Sequence, residues 1–237
     1  DGSWDASDGV WFGTTSNINC RYPADKSGTV NGVAGATLPS AELEYTWAAG
    51  LLRGRFLNDN AWWTFTWTNS NKAGTLTIGA DGGTNKLITE VEDITDRSMP
   101  WLPVIGGQAK VTKVETDASY MFQAQDPTAW FAGYTALTSF NGVGMDTSNL
   151  TSLANMFQNC TALQTFTGVD AWDVTGVTTL AEMFSGCENL TTVSGTNSWD
   201  TQSLESLYRT FYHCYKLQTL TSVSAWDTTD VTDFRET

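Results

Sequence analysis

The segment "NMFQNCTALQTFTGVDAWDVTGVTTLAEMFSGC", from Asn155 to Cys187, ends on the pattern with which it begins: Met-Phe, two variable residues, then Cys. Cys160, Cys187 and Cys214 are 27 residues apart, and so are Trp172, Trp199 and Trp226. The aspartate after each tryptophan keeps the same step at Asp173, Asp200 and Asp227. Asp146 extends that series backwards, with Met145 in the tryptophan position and Tyr134 in the cysteine position. Several residue types sharing one period of this length indicate supersecondary units that stack on one another.

Each unit divides into two patterns. The triads "SFN", "TFT", "TVS" and "TLT", centred on Phe140, Phe166, Val193 and Leu220, alternate polar and apolar residues. That period of two belongs to a short strand with one buried face. Leu137, Leu163, Leu190 and Leu217, three residues before each centre, should enter the same core. After the tryptophan the apolar spacing lengthens, through Val177, Leu180, Met183 and Phe184, then Leu204, Leu207 and Phe211. This predicts a short, partly 3₁₀ helix on the opposite side, with the aspartate capping its first turn. No unit buries its apolar stripe alone, so neighbours must stack at about 4.8 Å per strand. The expected architecture is a leucine-rich-repeat-like α/β solenoid over residues 121–237, preceded by a β-rich domain.

The residues "MFQNCTAL", "AWDVTGVTTLAEMFSGCENL" and "SWDTQSL" resemble the BspA-type leucine-rich repeat of bacterial surface proteins, whose units run Met-Phe-x-x-Cys-x-x-Leu, then Trp-Asp-Thr-Ser-x-Val. The resemblance covers about residues 120–237, and residues 72–122 resemble more loosely the segment that precedes such repeats. It implies extracellular display and adhesion to host proteins or other cells, without one fixed ligand. Thr210 in place of Met and Tyr134 in place of Cys depart from the pattern.

Before residue 120 the 27-residue unit is not evident. "ELEYTW" places Leu43, Tyr45 and Trp47 on one face, and "WWTFTWT" places Trp63, Phe65 and Trp67 on one face. Residues 1–71 read as a Trp-rich β domain, and residues 72–120 as a β segment capping the exposed apolar end of the repeats. Alternation puts Trp62 on the face opposite Trp63, which makes it the candidate for stacking on a sugar ring.

Composition limits the function. The 237 residues carry 26 acidic and 12 basic side chains, a net charge of −14. Such a surface repels phosphate backbones and anionic lipid, so neither nucleic acid nor direct membrane insertion is expected. With 41% hydrophobic residues and 11 tryptophans, the chain is no disordered acidic tail. Abundant Thr, Ser, Asn and Gly with little Lys suit an exported protein. The chain opens without Met, and "DTTDVTDFRET" stops where earlier copies continue into Phe-x-x-Cys, so export and anchoring signals are expected outside it.

Motifs for catalysis and metal binding are weak. Stacked Cys160, Cys187 and Cys214 read as a ladder of buried free thiols. A disulfide between neighbours is the competing reading, and zinc lacks the paired spacing it needs. Cys20 has no evident partner. His213 sits beside Cys214 at a variable position, and adjacent residues face different sides, so no nucleophilic pair is expected. Two carboxylates set across a cleft for sugar cleavage are not a sequence-level feature. "GADGGTN" and "FLNDNAW" lack calcium-loop spacing. The sequons beginning at Asn149, Asn159 and Asn189 fit chance in so Thr-rich a chain.

The candidate ligand face is the outer side of the strand triads: Ser139, Asn141, Thr165, Thr167, Thr192, Ser194, Thr219 and Thr221. Uncharged hydroxyls can bond an extended partner at small desolvation cost, although β-branched Thr also simply suits an exposed strand. These readings converge on a non-enzymatic bacterial surface protein for adhesion or display, with no cofactor. Its partner would be a protein or glycan on a host or neighbouring cell. The alternatives are a carbohydrate-binding or carbohydrate-cleaving module in the N-terminal half, or a segment of a self-associating surface fibre or layer.

Overall fold

The computed structural model describes residues 18–21, 28–30, 33–36, 44–48, 51–55, 61–68, 73–80, 86–88, 101–118, 122–124, 127–218 and 220–237. Its elements are β1 (Ile18–Arg21), β2 (Gly28–Val30), β3 (Val33–Ala36), β4 (Glu44–Ala48), β5 (Leu51–Arg55), β6 (Ala61–Trp67), β7 (Gly74–Ala80) and β8 (Lys86–Ile88). A four-residue helix, α1 (Leu102–Ile105), then leads to β9 (Val111–Thr116), β10 (Phe122–Ala124), β11 (Ser139–Asn141), β12 (Met145–Asp146), β13 (Thr165–Thr167) and β14 (Thr192–Val193). The described residues are therefore strand-rich with almost no helix.

Among the described residues the largest sheet is mixed and has nine strands in the order β1-β4-β5-β6-β7-β9-β11-β13-β14. From β1 to β7 the pairs are antiparallel, and from β7 to β14 they are parallel. One inward row crosses both regimes in register: Phe65, Leu76, Val114, Phe140, Phe166 and Val193. All six are buried. Trp63 and Ile78 continue the interior in β6 and β7, as the alternation of "WWTFTWT" requires.

The expected helices after each tryptophan do not form. Their apolar residues are inside, with Val177, Leu180, Met183, Phe184, Leu204 and Leu207 buried and Phe211 packed against the core. Their backbone, however, is a run of tight turns. The N–H groups of Leu180, Glu182, Phe184 and Gly186 donate to Ser206, Tyr208, Thr210 and Tyr212 in the next unit. Those of Met183, Ser185 and Cys187 donate three residues back, to Leu180, Glu182 and Phe184. An α-helix would consume every interior N–H within its own segment. Here alternate donors leave the unit and tie it to its neighbour. Positive φ at Asn155 and Asn159, and at Glu182 and Gly186, breaks helical continuity twice in each unit.

The fourth strand also fails to form. Thr221–Val223 is a 3₁₀ turn, and Thr219 lies outside the described residues. The acceptor that a fourth strand would use is taken by a side chain, because Ser222 Oγ donates to the Val193 carbonyl at 2.7 Å.

Aromatic rings fill the space between sheet and turns in continuous columns. Trp101, Phe131, Phe157, Phe184 and Phe211 stack with centroids 6.5, 5.4, 5.8 and 5.6 Å apart. Trp63 meets Trp101 edge to face at 6.3 Å, so the N-terminal strands close one end of this column. Burying each ring contributes about 1.5–3 kcal/mol, and a favourable ring pair adds about 0.5–1.5 kcal/mol.

Close packing also shapes the turn after β13. Gly168 has φ +72°, and a Cβ there would lie 1.9 Å from Asn141 Oδ1. Gly168→Ala is expected to lower stability by about 2 kcal/mol or more. Urea unfolding followed by tryptophan fluorescence measures this, and an unchanged midpoint would contradict the close approach.

Candidate functional site

The outer face of the parallel strands collects most of the predicted ligand residues. Ser139 pairs in register with Thr165 and Thr165 with Thr192, while Asn141 pairs with Thr167. Alternation directs these side chains away from buried Phe140, Phe166 and Val193. Ser194 lies just beyond β14, and its N–H still donates to the Phe166 carbonyl at 3.0 Å. Thr221 departs from the face because its backbone belongs to the 3₁₀ turn, and its side chain lies outside the described residues. Trp62 is placed in β6 in register with Gly79, but its side chain and that of Cys20 also lie outside them.

Two of these side chains turn back on the protein. Thr167 Oγ1 donates to the Phe140 carbonyl at 3.2 Å. Asn141 Oδ1 is buried against Gly168 and has no hydrogen-bond partner among the described residues.

The tryptophans form a second column. Trp172, Trp199 and Trp226 stack at 6.0 and 5.8 Å with interplanar angles of 5° and 6°. Each indole N–H donates to a carbonyl of the preceding unit: Gly142 at 2.9 Å, Val169 at 3.0 Å and Thr196 at 2.8 Å. The aspartate that follows stays at the surface. Asp173, Asp200 and Asp227 accept the N–H two residues ahead, from Thr175, Gln202 and Thr229. Thr175 and Thr229 also donate their hydroxyls, which holds the Asp173 and Asp227 carboxyls below the usual range. These residues close turns, so the predicted cap exists without the predicted helix.

Cys160, Cys187 and Cys214 are free thiols. Each S–H donates to a phenylalanine carbonyl of the unit before it: Phe131 at 3.0 Å, Phe157 at 3.2 Å and Phe184 at 3.1 Å. Burial pushes Cys160 and Cys214 up to about 12, and Cys187 moves the same way. Tyr134 replaces the cysteine one unit earlier, and its hydroxyl accepts the Trp101 indole N–H at 2.9 Å. His213 is exposed and stacks between Tyr212 and Tyr215, with ring centroids at 3.8 and 5.2 Å. Cys214 directs its S–H to the Phe184 carbonyl.

One column escaped the sequence reading. Ser152, Thr179, Ser206 and Asp233 bridge one another in parallel between successive units. Each side-chain oxygen accepts the N–H two residues ahead, from Ala154, Ala181, Tyr208 and Arg235. The signal was present as a short oxygen-bearing residue immediately before Leu153, Leu180, Leu207 and Phe234.

A protein family described as "Mycoplasma protein of unknown function, DUF285" matches residues 116–237, slightly more than half of the chain. The chain belongs to the DUF285 family. No curated protein and no solved structure matches it. The DUF285 match spans β11 to β14 and the turn columns behind them, so the candidate face of the parallel strands belongs to the family segment.

The buried thiols generate a test. A raised folded-state value means that their stability contribution is complete below the unfolded thiol value of about 8.5 and is lost as pH rises toward about 12. Iodoacetamide at pH 8, read by peptide mass spectrometry, is expected to spare Cys160 and Cys187 until the chain is denatured. Rapid native labelling of Cys187 would contradict the stacked interior.

Proposed function

We propose that this DUF285 chain is a non-enzymatic extracellular bacterial surface protein, used as a scaffold for adhesion or display. In this reading residues 121–237 form a leucine-rich-repeat-like solenoid of the BspA type, with turns where other repeats place helices. The N-terminal strands close its apolar end. The observation that carries the reading is the parallel register of Phe140, Phe166 and Val193, each one unit apart, with polar residues on either side. A face made by stacking identical positions presents many similar weak contacts over a broad area, which suits attachment better than turnover. The family match is compatible with a bacterial surface protein. The partner is a protein or glycan on a host or neighbouring cell.

Beads coated with the whole chain are expected to adhere to host or bacterial cells. Thr165→Glu combined with Thr192→Glu should reduce that adhesion by about tenfold or more, by burying charge at the contact. Circular dichroism checks that the fold is kept. Adhesion no better than that of uncoated beads would overturn the proposal.

A further inference from the structure

The rows of outward residues continue beyond the family segment. In register with Ser139, Thr165 and Thr192, the row passes back through Lys113 in β9, Thr75 in β7 and Thr66 in β6. The row of Asn141 and Thr167 passes back through Glu115, Thr77 and Thr64. Antiparallel and parallel strands thus share one outer surface six strands wide, about 24 Å across, with two rows about 7 Å apart. Phe65, Leu76, Val114, Phe140 and Phe166 lie buried beneath it, so the polar flanks cannot rotate inward.

We propose that these rows form a single binding face for a neutral, extended glycan, spanning β6 to β14; the proposal rests on the scaffold reading above and names its ligand class. Three observations define the class. The first is charge. In a chain of net charge −14, the rows hold only Lys113 and Glu115, which pair with each other at 2.5 Å. A charged polymer finds no uncompensated countercharge here, whereas a neutral one is not repelled. The second is unused hydrogen-bonding capacity. The hydroxyls of Thr64, Thr66, Thr75, Thr77, Ser139 and Thr165 make no hydrogen bond among the described residues. Each offers one donor and two lone pairs, which match the hydroxyls of a sugar chain in either role. The third is geometry. An extended peptide binds a sheet through main-chain bonds at an open edge, not across the face. At the β14 edge the Val193 carbonyl, an acceptor that an added strand would use, already accepts from Ser222. A face that presents side-chain hydroxyls at regular intervals instead fits a polymer whose own hydroxyls recur along its length.

The test applies the whole chain to an array of neutral and acidic oligosaccharides, alongside the bead assay. Thr77→Val and Thr165→Val each remove one hydroxyl while keeping the branched shape, one on either side of the paired charges. Neutral oligosaccharides are expected to retain the chain, and longer ones to retain it better. Either substitution should weaken retention by about fivefold and the pair by about thirtyfold, at about 1 kcal/mol per lost hydrogen bond. Thr165→Ser, which keeps the hydroxyl, should bind like the unaltered chain. Loss in Thr165→Ser equal to that in Thr165→Val overturns the role of the hydroxyl. Loss with Thr165→Val alone overturns the extension into β6 and β7. Retention by acidic oligosaccharides alone overturns the ligand class. Retention of the chain by no oligosaccharide, while its beads still adhere to cells, overturns the glycan and leaves the adhesion reading standing. If both fail, both readings fall.

Discussion

Alternate backbone N–H groups of the turn segments leave their own unit, and the rest of the structure depends on this division. Asn155, Phe157 and Asn159 donate to Ala181, Met183 and Ser185, while Met156, Gln158 and Cys160 donate three residues back. Every peptide in the segment is thereby engaged, which a buried turn requires. Each bond to the next unit contributes about 1 kcal/mol net, and leaving its donor buried and unpaired would cost about 1–3 kcal/mol. The division also dictates dimensions. Units joined through main-chain bonds must follow one another at strand spacing, so side chains at equivalent positions stack in columns.

That spacing explains which substitutions the columns accept. Phenylalanine and tryptophan rings stack nearly parallel between units, and a flat ring fills one unit's thickness. Thr210 stands where Met156 and Met183 stand, and its buried hydroxyl donates to the carbonyls of Leu180 and Leu207. Thr237 repeats that solution one unit later, bonding Leu207 and Phe234. The thiols follow the same rule, each meeting a carbonyl of the unit before. Thr210, Thr237 and the thiols thus enter this interior where the preceding unit supplies a partner, and Tyr134 is the large version of the same arrangement, satisfied by Trp101.

Much of this was legible in the residues. The triads around Phe140, Phe166 and Val193 read correctly as strands because a buried centre with polar flanks has one regular solution. The turn segments misled because Val177, Leu180, Met183 and Phe184 have the spacing of a helix face, and apolar spacing reports which residues are buried, not where the backbone donors go. Left-handed Glu182 and Arg209 carry no sequence cue, since neither favours positive φ. The "TLT" triad around Leu220 looked like its predecessors, but Ser222, whose hydroxyl replaces a strand bond, looked like an ordinary serine. As for the candidate face, the rows within the repeats followed from periodicity alone. Their continuation through Thr75 and Thr66 did not, because an antiparallel strand outside the repeat has no fixed offset from which register could be read.

Hydrogen-bond scalar couplings between amide nitrogen and carbonyl carbon test the division of donors directly. In labelled, deuterated protein, the Phe157 nitrogen is predicted to couple to the Met183 carbonyl and the Phe184 nitrogen to the Thr210 carbonyl. Couplings from these nitrogens to Leu153 and Leu180, four residues back, would mean that each unit keeps its bonds to itself as a helix, and would contradict the account.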